Sequence, residues 1–484
     1  MSTDHRRITS VIEDLLRTRS AANLSDSLTP HDDTPAARVP GGPLVSPEAI
    51  RRRWEAIGGS EETQRILLDS ETRGQAELFA QNIENFIGTV KVPIGIAGPL
   101  RVNGLFAQGD FYVPLATTEA ALVASYSRGS QLLSAAGGCT VMIMHDGVAR
   151  APGFAFRNLI EAGQFVMWAT ANTEQFRSVA EATTSHGKLV DMRVTIEGNH
   201  VYLTFEYSTG DAAGQNMVTI ATAAICDYIA ANTPVAPEYW FVEANLSGDK
   251  KASAQSFMSV RGKKATAEVT LPGELVEKFL HTTSARMADY WRMSAMGGVM
   301  SGTIGVQGHY ANGLAALFIA CGQDAACVAE AAVGVTRFEA RADGSLYASV
   351  TLPNLIVGTV GGGTGLPSQR ACLDLMGLAG AGKARAFAEV TAALALAGEL
   401  SIIGAICAGD FARAHKSLSR RKKSPPHPLP EGERQEEDAQ RLPAVESPAH
   451  PQASSIQAPV ATGDGLRTEA PRTGAPGLET LWDA

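Results

Sequence analysis

Disulfide and metal frames are the first things this sequence lacks. Its six cysteines (Cys139, Cys226, Cys321, Cys327, Cys372 and Cys407) are scattered among apolar or small residues, with no Cys-x-x-Cys pair. That pattern reads as reduced core thiols in a cytoplasmic protein, with no metal site. Met1 to Arg19 carries charges along most of its length, which excludes the apolar core of a secretory signal. Positive charge is the scarcer sign: 41 Lys and Arg against 50 Asp and Glu leave a net charge of −9. Nucleic acid is therefore not expected as a partner. No internal repeat is visible. No Gly-x-Gly-x-x-Gly fingerprint occurs either, so a bound dinucleotide would not sit in a Rossmann turn. One stretch, Val390 to Gly409, could pass for a membrane span because Glu399 is its only charge. It is Ala-rich with helical neighbours and reads as a buried core helix, so no membrane partner is expected.

What is present is globular. The 484 residues are 45% hydrophobic and 19% charged, enough for two or three domains and a large core. Residues 1–45 read as an N-terminal segment and linker with Pro30, Pro35, Pro40 and Pro43. Residues 46–85 read as a helical region, with Ser46-Pro47-Glu48 as a first-turn start. Short strands are expected over 89–115, then a helix capped by Thr117 or Thr118 and ended by Gly137-Gly138. Residues 151–241 change texture, with strands expected at Phe165–Thr170, Met192–Ile196 and Val201–Phe205 around a helix at Thr173–Ser185. Helices are expected from Gly273 to Arg337, a strand at Leu346–Thr351, and helices again from Gln369 to about Arg420. From Arg421 to Ala484, Pro, Glu, Ser and basic residues dominate, the composition of a disordered tail.

Gly248-Asp249-Lys250-Lys251-Ala252 sets three adjacent charges in the mostly small or apolar run Val242 to Phe257. A carboxylate beside two ammonium groups can orient one lysine while the other meets an anion. In isolation such a triplet is most often a solvated turn. Beside a cleft it is suited to polarising a carbonyl oxygen as negative charge develops there. The glycine run Gly361-Gly362-Gly363 and the stretch Asp211 to Met217 offer backbone amides that can approach phosphates closely, although a lone glycine run is usually a turn.

These residues stand in ordered blocks. Glu84-Asn85-Phe86-Ile87-Gly88, Pro93 to Leu100, Ala116-Thr117-Thr118-Glu119, Asp211 to Met217, Asp249-Lys250-Lys251 with Arg261-Gly262-Lys263, Gly322-Gln323-Asp324 and Val357 to Pro367 span roughly residues 80–420. Together they resemble the 3-hydroxy-3-methylglutaryl-coenzyme A reductases, in a soluble bacterial-type form. The resemblance implies an α+β fold, with a helical large substrate domain (86–150 and 262–420) and an inserted small α/β cofactor domain (151–241). Residues 242–261 would form a connecting catalytic loop.

The resemblance also implies reduction of a CoA thioester to mevalonate by two hydride transfers from NADPH, with NADH possible. The alternative is an NAD-linked enzyme oxidising mevalonate. A homodimer or higher homo-oligomer with shared active sites is implied as well. By motif position, Lys250 would polarise the reacting oxygen, while Glu119 and Asp324 would supply a proton as a coupled carboxylate pair. His415 would protonate the departing thiolate. Arg128, Arg150, Asp249, Lys251, His309 and Asn312 would bind substrate. Asp211, Gly214, Gln215, Asn216, Met217, Gly358, Gly361 and Arg420 would bind cofactor. Ala213 and Gln215 depart from the family's usual residues. Glu174-Gln175 stands where the NADPH-using members carry a Ser-Arg pair, and its carboxylate is the feature that keeps NADH open.

Overall fold

The computed structural model of the chain describes residues 4–30 and 38–410. Helices and strands come in runs, the α+β class expected from the sequence. The strands are β1 Ile94–Gly104, β2 Gln108–Ala116, β3 Cys139–Arg150, β4 Gly153–Ala155, β5 Lys188–Glu197, β6 His200–Ser208, β7 Tyr239–Phe241, β8 Gly262–Leu271, β9 Val335–Ala340 and β10 Leu346–Leu355. They form one sheet in the order β7-β4-β6-β3-β8-β10-β9, with β1 and β2 attached beside β3, and β5 beside β6. The joint is β3. Residues 139–141 pair with β1 and 140–147 with β8, and its last residues, Val148 to Arg150, pair with β6. The register slips between Ile143 and His145, an irregularity that re-aims the strand.

The helix Ala384–Ala408 runs through the core, with 89% of its most apolar window buried. Among the described residues it is the one helix long and apolar enough to cross a membrane, and it spends that surface on protein instead. Helix Leu122–Ala135 crosses it so closely that a Cβ on Gly129 would lie 1.9 Å from the Ala397 carbonyl oxygen. Only glycine permits that approach. The two carboxylates this helix buries are satisfied by donors. Glu389 accepts the N–H groups of Leu105, Phe106 and Ala107, and Glu399 accepts those of Gly308 and His309 and the Thr336 hydroxyl.

Local signals decide several boundaries. Ser46 caps helix Pro47–Ile57 by accepting from Ala49 N, with Pro47 in the first turn, as expected. The strand expected at Phe165–Thr170 lies instead inside helix Leu159–Ala171. Asn158 caps it through Ile160 and Glu161, and buried Ala162, Phe165 and Ala169 recur at helical spacing. The helix expected from Thr117 begins at Leu122, because Ala121 takes a left-handed φ of 72° and Thr117 accepts from Glu119 N outside any helix. The run expected to stay helical to Arg337 turns into β9 at Val335. A small satellite core holds Val45, Ile50, Trp54, Leu68, Ala76 and Phe86. Inside it the fully buried Arg53 donates to the carbonyls of Pro40, Gly42, Leu44 and Phe86.

Candidate active site

The Gly248–Lys251 segment is a tight turn, closed by Lys251 N donating to Gly248 O at 3.1 Å. Lys250 itself takes φ 55°, which costs a residue with a Cβ about 1 kcal/mol or more unless its surroundings hold it. They do. Its backbone N–H meets Glu330 Oε1 at 3.2 Å, and its Nζ lies 2.8 Å from Asp324 Oδ2. Asp249 faces the other way, against Arg150 Nη1 at 2.9 Å and Arg261 Nη2 at 2.7 Å. Arg261 also pairs with Glu330, and Arg150 with Glu243.

Charge is graded across this cluster. The neighbouring Asp324 carboxylate raises the Lys250 ammonium above its ordinary pKa. Burial pushes Asp324 upward, but Lys250, the Ala326 N–H and the Gln215 amide together outweigh it and leave the carboxyl below its ordinary value. Deep burial lifts Glu330 despite its Arg261 partner. The exposed pair at the surface is thus held charged.

Lys250 and Asp324 line a cleft of about 650 Å³ together with Gly214 to Met217, Gly358 and Gly361 to Gly363. One wall is the N-terminus of helix Gln215–Asn232. No side chain caps it, so its first N–H groups face a site where the helix dipole favours an anion. The glycine run adjoins that wall: Ala212 and Val360 form a parallel bridge, and Thr359 N donates to Asp211 O at 2.9 Å. Gly361 and Gly362 have φ of 73° and 53°, and nothing lies within 4 Å of a Cβ built on either. Behind it a Cβ on Gly322 would stand 2.3 Å from Gly363 O, which binds the run to the segment carrying Asp324. Together the two segments present backbone donors of the kind a phosphate-bearing cofactor needs. Gln215, one of the departures from the family pattern, donates to Asp324 Oδ2 at 3.3 Å.

A second cleft, of about 420 Å³, gathers Glu119, Arg128, His309 and Asn312. It shares no lining residue with the first. The core helix forms its floor. Ser401 accepts from Arg128 through both its hydroxyl, at 3.0 Å, and its carbonyl, at 2.7 Å, and Glu399 holds the His309 N–H. Burial draws the Arg128 guanidinium down, with the Asp410 charge opposing. The expected close pair of Glu119 with Asp324 is not formed within the chain: among the described residues no hydrogen bond or ion pair joins them.

Other expected residues are placed differently. Arg150 is buried and lines neither cleft, its charge taken up by Asp249 and Glu243. Lys251 is exposed and folds back onto Asp249 O. Asp211 lines neither cleft; it accepts from Gly382 N and Ala384 N at the start of the core helix. Glu174 is exposed and paired with Arg177 on its own helix. His415 and Arg420 lie outside the described residues. Sequence reasoning missed Glu243 and Glu330. The one signal for Glu330 was a lone carboxylate in the small, apolar stretch Ala325 to Val335.

The family model described as hydroxymethylglutaryl-coenzyme A reductase matches residues 49–420. The 3-hydroxy-3-methylglutaryl-coenzyme A reductase of Methanothermobacter thermautotrophicus is 43% identical over 378 residues, covering 77% of this chain and 94% of that protein. Its counterpart in Pyrococcus horikoshii is 45% identical over 352 residues, covering 71% and 85%. Among solved structures, the class II 3-hydroxy-3-methylglutaryl-CoA reductase of Streptococcus pneumoniae bound to NADPH in open conformations aligns with a TM-score of 0.57. It covers 73% of this chain and 99% of that one at 19% identity, a likeness of fold. By family model and by sequence identity over most of its relatives' length, this chain belongs to the hydroxymethylglutaryl-coenzyme A reductase family of oxidoreductases.

Proposed function

We propose that this enzyme reduces 3-hydroxy-3-methylglutaryl-CoA to mevalonate and free CoA, consuming two NADPH and two protons, in the cleft lined by Lys250 and Asp324. The observation that carries this reading is the 2.8 Å Lys250–Asp324 pair, which lines one cleft with an uncapped helix N-terminus and an open glycine run. NADPH, when bound, supplies hydride. The amides of Gln215 to Met217 and of Gly361 to Gly363 would hold its phosphates. The Lys250 ammonium stabilises the oxyanion as the thioester carbonyl is reduced, and again as the aldehyde is reduced to the alcohol. Between those steps the carbon–sulfur bond breaks, and His415 gives its proton to the departing thiolate. Arg128, His309 and Asn312 bind the CoA thioester from the second cleft, and Glu119 acts as a proton donor.

A homodimer with shared active sites accounts for residues of one reaction lying in two clefts with no lining residue in common. The proposed setting is the cytoplasm. Nicotinamide absorbance followed with the CoA thioester and each cofactor tests the reading; no oxidation of either cofactor by the folded protein would overturn it. His415→Gln should depress thioester reduction far more than reduction of free mevaldehyde, which has no thiolate to protonate. Equal losses on both substrates would remove His415 from that role.

A further inference from the structure

Two fully inaccessible charges lie behind the catalytic turn. Glu330 and Arg261 are each 0% exposed, and they grip consecutive residues of it. Arg261 takes the Asp249 side chain, and Glu330 takes the Lys250 backbone N–H while also pairing with Arg261. Asn354 fixes Arg261 in turn, accepting its N–H at 2.9 Å. Glu330 lies on the short helix Val328–Ala331, which follows directly on the 3₁₀ turn that Asp324 caps. One stretch of chain therefore holds Lys250 at both ends, Asp324 at the ammonium and Glu330 at the main chain. Burying a carboxylate this deeply is costly, and the second oxygen, Oε2, has no hydrogen-bond partner. Both contacts fall on Oε1, so the atom that pairs with Arg261 Nη1 is also the one that holds the Lys250 main chain.

We infer that Glu330 is a positioning residue for the catalytic lysine: it holds Lys250 in the left-handed turn that aims its ammonium at the reacting oxygen. This rests on the reading of Lys250 given above. The inference separates reach from charge. Glu330→Gln keeps the length of the side chain and an acceptor for the Lys250 N–H but discards the charge. Glu330→Asp keeps the buried negative charge but withdraws Oε1 from the Lys250 N–H, and from Arg261, by one methylene.

The experiment compares kcat, the KM for each substrate, and Tm for the wild type and both variants. Positioning predicts that Glu330→Asp loses about 10²-fold in kcat, the scale of a displacement near 1 Å, with KM little changed. Glu330→Gln should keep most of its kcat. Stability should fall in the opposite order, with Glu330→Gln melting lower because it removes one of the two carboxylates facing the buried Arg261 and leaves Asp249 alone. If kcat follows the order of Tm, or if both variants turn over like the wild type, the inference is overturned. An inactive wild type would instead overturn the reductase reading itself, so the two failures are distinguishable.

Discussion

The two clefts are built on opposite plans. The one around Lys250 is set by electrostatics: a strained turn is pinned by Asp324 in front and by Arg150, Arg261 and Glu330 behind. The one around Glu119 is set by packing: a long apolar helix forms its floor, and its polar residues hang from that helix through Ser401 and Glu399. A site needing one cation at a fixed point is served by charges already paired. The second cleft takes its shape from a buried helix rather than from paired charges. The difference implies that substitutions in the first cleft should act on turnover and those in the second on binding or proton delivery.

The largest expected effect tests that division directly. Lys250→Ala should lose roughly 10³-fold in hydride transfer while substrate still binds, because the lost charge acts mainly in the transition state. Near-normal turnover by a folded variant would break the assignment. Glu119→Gln should lose about 10²-fold in kcat with Tm unchanged, as expected for a proton donor that is exposed in the chain. A fall in Tm of several degrees would mean that Glu119 supports the fold instead.

A smaller effect sharpens the electrostatic half of the comparison. The Asp324 carboxyl sits below its ordinary value, so its stabilising contribution is complete above about pH 4 and is lost as pH falls through the lowered value. The Tm gap between the wild type and Asp324→Asn should therefore be widest near neutrality and close on acidification. A gap independent of pH would show that the pair contributes no net charge interaction. The smallest effect concerns cofactor choice. If Glu174 faces the ribose, Glu174→Ser should shift the ratio of kcat/KM values towards NADPH; an unchanged ratio removes it from the site.

Much of the first cleft was legible in the sequence because its parts are local. A charged triplet after glycine, a glycine run and an acidic residue after Gly322-Gln323 each declare an unusual backbone or an unusual charge. Glu330 was not legible, because its partner lies 80 residues away and nothing near it in the chain requires a carboxylate. Arg150 was assigned to substrate by motif position, yet two carboxylates brought in by the fold surround it. The helix Leu159–Ala171 departs from its sequence expectation for a different reason. Phe165, Val166 and Trp168 favour strands taken alone, and the outcome was decided by the Asn158 cap and by core packing, with Phe165 4.8 Å from Phe156 between ring centroids.

Arg53 sets a practical limit on trimming this protein. Residues before Ser46 look dispensable by composition, and a shortened version would naturally begin there. Such a cut would remove the carbonyls of Pro40, Gly42 and Leu44, three of the four acceptors that a sealed guanidinium uses. A cation stripped of its acceptors must drag water inward or unseat Trp54 and Phe86 beside it. The shortest form that keeps this corner closed therefore starts ahead of Pro40, in what reads as linker.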